Sequence, residues 1–135
     1  MFKVINLPEI NQKFSRETGN QIVTEISKTI KSSLSNEYIF VRYMGPKFVI
    51  VFSGVEPDSV LSFITDIKKY VERINVEYEG NEGKSTKKKK IVYAKPKLNF
   101  VVSTYYKGTS LDGITKKLEE YLDGADIEES DINYI

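Results

Sequence analysis

The sequence contains no histidine, no cysteine and no tryptophan. Without imidazole or thiol there is no Ser-His or Cys-His nucleophile, no thiol redox pair, no disulfide framework and no zinc site of the usual His/Cys kind. Catalysis would have to run on carboxylates, lysine, tyrosine or hydroxyls, around a hard cation such as magnesium. No run approaches the ~20 apolar residues of a membrane span, and the opening Met1-Phe2-Lys3-Val4-Ile5 lacks the apolar stretch of a signal peptide. The expectation is a soluble, cytoplasmic domain.

Charge is present in near balance, 20 Lys+Arg against 19 Asp+Glu, so the net +1 favours neither nucleic acid nor an acidic surface as partner. Its distribution is uneven. Lys84, Lys87, Lys88, Lys89, Lys90, Lys95 and Lys97 crowd one stretch, whereas nothing basic follows Lys117. The polar run around 80–90 reads as a solvated basic loop, and the acidic end, 123–135, as a coil or docked tail. At 135 residues the chain fits one domain, 1–135, able to withdraw roughly two thirds of its unfolded surface from water.

Helical periodicity appears three times. Ile22, Val23, Ile26, Ile30 and Leu34 share a face over 21–34. Val60, Leu61, Ile64, Ile67, Val71 and Ile74 follow the start signal Pro57-Asp58-Ser59. Leu111, Ile114 and Leu118, with Tyr121 or Leu122, run over 110–122 to a stop at Gly124. Strand-like runs cover 2–5, 38–43, 48–52 and 98–106, with a short extra one at 91–93. Met44-Gly45-Pro46-Lys47 joins the second and third as a hairpin. The order is β-α-β-β-α-β plus a helix, an α+β fold of the ferredoxin-like or palm type with a mostly antiparallel sheet and about three main helices. The third strand is apolar on both alternations, so it is covered on both faces or one face is an interface. Asp112, Glu119, Glu120 and Asp123 read as a solvated helix face.

Two segments carry a family resemblance. "RYMGPKFVIVF" (42–52) resembles the Arg-Tyr-Gly-Gly-Asp-Glu-Phe turn and following strand of the GGDEF family of diguanylate cyclases, keeping Arg42, Tyr43, Gly45 and Phe48. "NLPEINQKFSRETGN" (6–20) is similar to that family's D-x-F-K-x-I-N-D-x-x-G-H-x-x-G-D pattern, with Ile10, Asn11 and Gly19 matching and Leu7 and Phe14 standing at apolar positions. The two align at the family's spacing without a gap.

The resemblance implies that two magnesium ions would be held by an Asp leaving the first strand and by the acids of the turn. Here those positions are Lys3, Pro46 and Lys47. A lysine ammonium is protonated near neutral pH and cannot ligate a hard cation. Magnesium binding is therefore not expected, and neither is cyclisation, since losing metal assistance costs several kcal/mol of transition-state stabilisation. The family's inhibitory Arg-x-x-Asp falls on Ser35, Asn36, Glu37 and Tyr38 and is absent. Its guanine-reading Asn and Asp map onto Asn11 and Asn20. Its last-helix Lys and Arg, which hold phosphates, have no clear counterpart in "ITKKLEEYLDGAD".

Three functional expectations follow. The leading one is a degenerate GGDEF domain without catalysis, a regulatory or interaction module that forms a homodimer or meets a signalling partner, and that was excised from behind an upstream sensor domain. A second is a sensor of GTP-like guanine nucleotide, with Asn11 and Asn20 reading the base and Lys3 and Lys47 neutralising phosphates in place of metal. The plain alternative makes Asn11 and Asn20 turn and helix-cap residues. The third is an RNA-recognition fold, which needs exposed aromatics on an open sheet with basic neighbours; the apolar residues on both strand faces argue against it.

Overall fold

The structure, a computed structural model, describes residues 1–80, 90–124 and 131–135, with side chains at 78–80 and 90–92 excepted. The basic run near 80–90 and part of the acidic end thus lie outside the described residues. Five strands form the main sheet in the order β2-β3-β1-β6-β7: β1 (Phe2–Val4), β2 (Ile39–Arg42), β3 (Lys47–Val51), β6 (Leu98–Val102) and β7 (Asp131–Tyr134). A separate two-stranded ribbon pairs β4 (Val76–Gly80) with β5 (Lys90–Ala94). The helices are α1 (Leu7–Lys13), α2 (Arg16–Ser33), α3 (Pro57–Glu72) and α4 (Leu111–Gly124). The α+β palm-type expectation holds: only the β6–β7 pair of the main sheet is parallel.

Strand alternation divides the residues of β1 between two faces. Phe2 and Val4 enter the larger core, while Lys3 points to the other side. Phe2 stacks on Phe48 at 4.9 Å between ring centroids and on Phe100 at 4.8 Å, and Phe40 continues the row at 5.8 Å from Phe48. Each such pair contributes roughly 0.5–1.5 kcal/mol beyond the burial of its surface. Helices α1, α2 and α3 cover this face through Leu7, Ile10, Ile22, Ile26, Ile30, Ile64 and Val71. The opposite face carries α4, whose Leu118 and Leu122 pack on Val101.

Several boundaries differ from the periodic reading. The first helical region is two helices. Asn6 does not cap α1 with its side chain, because its amide donates to the Lys95 carbonyl and accepts from the Lys97 N–H, both at 2.8 Å. Ser15 then caps α2, which begins at Arg16, ahead of the expected start at Gln21: the Ser15 Oγ accepts from the Thr18 N–H at 3.0 Å. Asn11 and Asn20 consequently lie inside helices, not at caps or turns. The final β-run stops at Val102, and Val76 to Gly80 is a strand the alternation signal understated. The acidic end docks, and it does so as a strand, β7, beside β6.

The hairpin forms as expected. Gly45 takes φ 55°, a left-handed value that glycine adopts without strain, and Lys47 N–H bonds Met44 C=O at 3.1 Å. This turn delivers Lys47 into β3 directly opposite Lys3 of β1.

Candidate functional site

On the α4 face, cross-strand register aligns four polar residues: Lys47 opposite Lys3, Lys3 opposite Asn99, and Asn99 opposite Asp131. Residues directly opposite share a sheet face, so the row crosses β3, β1, β6 and β7. It passes beneath the C-terminal half of α4.

That half supplies two carboxylates. Lys47 Nζ lies 2.7 Å from Asp123 Oδ2 and 3.0 Å from Glu119 Oε1, and Lys3 Nζ lies 3.2 Å from Asp123 Oδ1. The Tyr43 hydroxyl reaches toward Glu119 Oε2 at 3.5 Å. The Lys47 side chain is only 9% exposed, against 28% for Glu119 and 47% for Asp123, so the buried member of the cluster is the cation. Desolvation pulls the Lys47 ammonium toward a lower pKa, but hydrogen bonds and charge from Asp123 and Glu119 outweigh it and the net shift is upward. The hydrogen bond from Lys47 holds Asp123 below the ordinary carboxylate value against the opposing cost of its partial burial, with Lys3 helping. Each of these two shifts favours the charged form of its group, and two lysines face two carboxylates across the cluster.

Glu119 and Asp123 are therefore not a solvated helix face, which corrects the sequence expectation. Their i, i+4 spacing puts both on one side of α4, and the Asp123 carboxylate, in the last turn, is disfavoured by the helix dipole. With no basic residue in that turn, the compensation comes from the strands. Asn99 was also missed. It is fully buried, and its Nδ2 has no hydrogen-bond partner among the described residues, while its Oδ1 accepts from Asn133 Nδ2 at 3.5 Å. A polar residue at an inward position of "LNFVV" was the available signal.

The four residues singled out for a nucleotide fall into two pairs. Lys3 and Lys47 meet, on the α4 face. Asn11 and Asn20 belong to α1 and α2, which pack on the other face. Asn11 lies over Gly19: a Cβ there would stand 1.7 Å from Asn11 Oδ1. Asn20 lines an open cleft beside α2 with Glu17, Thr24, Lys28, Asn75 and Val76, to which neither Lys3 nor Lys47 contributes. No group of three or more acidic residues suited to a metal ion occurs among the described residues. No helix there is long and apolar enough to cross a membrane.

The family model for the diguanylate cyclase GGDEF domain matches residues 1–107. The chain belongs to the GGDEF domain family. A curated relative, diguanylate cyclase A of Treponema denticola, is 26% identical over 73 residues, 54% of this chain and 20% of that protein. Among solved structures, diguanylate cyclase SiaD of Pseudomonas aeruginosa, crystallised with its activator SiaC, superposes with TM-score 0.76 at 12% identity, over 99% of this chain and 48% of that one. The GGDEF domain of DgcB from Caulobacter crescentus, in complex with c-di-GMP, gives 0.71 at 13% identity over 98% and 74%. The active GGEEF domain of a diguanylate cyclase from Vibrio cholerae gives 0.63 at 15% over 98% and 77%. At these identities the superpositions establish the GGDEF fold. The chain spans a fifth of the Treponema protein and about half of the SiaD chain.

Proposed function

We propose that this GGDEF domain has no cyclase activity and serves as a regulatory or interaction module in cyclic di-GMP signalling. One observation carries the reading. Lys3 and Lys47, at the positions where the family resemblance calls for metal-binding acids, are ion-paired to Asp123 and Glu119 of α4. A divalent cation brought there would meet two ammonium groups in place of the hard oxygen ligands it needs. A triphosphate would meet two carboxylates on the overlying helix. The lysines' charge is already neutralised, so the pairs oppose phosphate capture as well as metal capture. SiaD, a protein of this fold, was crystallised with its activator, and that precedent supports an interaction role.

The test is incubation with GTP and magnesium or manganese, with chromatographic detection of cyclic di-GMP and an active GGDEF domain as positive control. No product is expected. Protein-dependent product would overturn the reading. Calorimetry with millimolar GTP, with and without magnesium, separates the sensor alternative: absence of heat is expected, and saturable heat would favour a nucleotide sensor.

A further inference from the structure

We propose that β2 is the contact through which two copies of this chain join, edge to edge and antiparallel, fusing their two five-stranded sheets into one. The inference goes beyond the signalling role proposed above and stands or falls without it.

Strand β2 ends the sheet order among the described residues, so one side of its backbone has no strand beside it. The hairpin fixes which groups point that way. Tyr43 N–H donates to Lys47 C=O at 2.9 Å, and since hydrogen-bonding direction alternates along a strand, Val41 and Ile39 also turn their backbone groups to β3. Tyr38, Phe40 and Arg42 turn theirs outward. The Tyr38 N–H is taken by Ser35 C=O at 3.1 Å, which leaves the Phe40 and Arg42 N–H groups as free donors.

One antiparallel register uses both of these donors. With Phe40 opposite Phe40 of the copy, each Phe40 N–H meets the other's carbonyl and each Arg42 N–H meets the copy's Tyr38 carbonyl. The same register brings Ile39 opposite Val41 of the copy as a non-hydrogen-bonded pair, the closer kind. These are the residues of β2 whose exposure lacks another account: Ile39 is 58% and Val41 45% exposed, on an edge without the proline or lysine that commonly blocks strand addition. Charge selects the direction. Antiparallel pairing lays Arg42 beside Tyr38 and next to Glu37 of the copy, whereas parallel pairing would lay Arg42 on Arg42. A strand whose free donors, acceptors and apolar side chains match themselves about one two-fold axis fits a second copy.

The absence of cysteine makes the register testable. Single variants Ile39→Cys and Val41→Cys are prepared and oxidised alone or mixed. The mixture should yield a disulfide-linked heterodimer about tenfold faster than either variant links to itself, since only the mixed pair stands directly opposite, near the ~4 Å Cβ separation a disulfide requires. Equal rates would overturn the register. In parallel, Val41→Lys, at an exposed position, should weaken self-association in sedimentation equilibrium by about tenfold or more, with an unchanged circular dichroism spectrum. A wild-type chain that stays monomeric at every concentration refutes the proposal and leaves the β2 edge to a different polypeptide.

Discussion

Glu119→Gln/Asp123→Asn strips Lys47 of both counter-ions while keeping the shape of the site. The buried ammonium, its side chain 9% exposed, is left with amide oxygens only. Stripping a buried charge of its partner costs at least ~3 kcal/mol. Two features reduce the figure. Asp123 is 47% exposed, so water reaches the cluster, and removing its carboxylate from the last turn of α4 relieves the helix dipole by up to ~1 kcal/mol. A net loss of about 2 kcal/mol remains. At ~2.1 cal/mol/K per residue, the 135 residues have an unfolding entropy near ~280 cal/mol/K, so the thermal midpoint should fall by about 7 °C. Lys47→Met removes the buried cation instead and leaves two carboxylates that can hydrate, one of them still beside Lys3. It should cost less than about 1 kcal/mol. Thermal unfolding at pH 7 followed by circular dichroism reads both variants. A Lys47→Met loss equal to that of the double variant would show that Lys47 acts by packing. A double variant within a degree of wild type would show that the ammonium is already served by water. Either result refutes the electrostatic account.

The same cluster sets an acid limb to stability. Asp123 is held below its ordinary value in the fold, so its contribution is complete above the unfolded carboxylate pKa near ~3.9 and is lost as pH falls through the lower folded value; urea midpoints between pH 2 and 5 should drop less in Asp123→Asn than in wild type. At the alkaline end, the contribution of Lys47 should be complete below the ordinary lysine value near ~10.4 and be lost as pH rises through its raised folded value. Lys3→Asp/Pro46→Asp/Lys47→Glu gathers three new acids beside Glu119 and Asp123, and its thermal midpoint should fall in chelator and recover with manganese; no recovery would mean the backbone does not converge these positions on an ion. Gly19→Ala should change stability by less than about 1 kcal/mol, because the helix-propensity gain of about 1 kcal/mol offsets expulsion of the exposed Asn11 side chain from its place over Gly19; a loss above 2 kcal/mol would mean Asn11 cannot move. Hydrogen exchange in Glu119→Gln/Asp123→Asn should quicken along α4, which buries only Leu118 and Leu122, and stay unchanged along α2 with its buried Ile22, Ile26 and Ile30.

The parts of the fold legible in sequence are those whose signal is local. The spacing of Val60, Ile64, Ile67 and Val71 marks α3, and Gly45-Pro46 between apolar runs marks the β2–β3 hairpin. The division of α1 from α2 rests on a hydroxyl: Ser15 caps the second helix, and no apolar period reports that bond. Strand β7, Asp-Ile-Asn-Tyr, is short and sends only Ile132 to the larger core, so its sequence resembles a tail. For the site, aligning motifs by spacing assigned Lys3 and Lys47 to the family's metal-binding positions, and the strand register sets them opposite one another. Motif spacing could not find Glu119 and Asp123, which stand 72 and 76 residues beyond Lys47. A carboxylate pair on a helix looks the same in sequence whether it meets water or two lysines.

Lys3, Lys47, Glu119 and Asp123 are best understood as a set. Two ammonium groups on adjacent strands would repel each other and resist burial, and two carboxylates near the end of α4 would oppose its dipole. Each pair removes the other's penalty. A site that collects carboxylates around a divalent ion is neutral only while the ion is bound, and its geometry then depends on metal and nucleotide concentration. Here the two positive charges are carried on lysine stems rooted in β1 and β3, and the α4 carboxylates pair with them directly. The β2–β3 hairpin and the end of α4 are thereby tied to one another by the chain's own side chains.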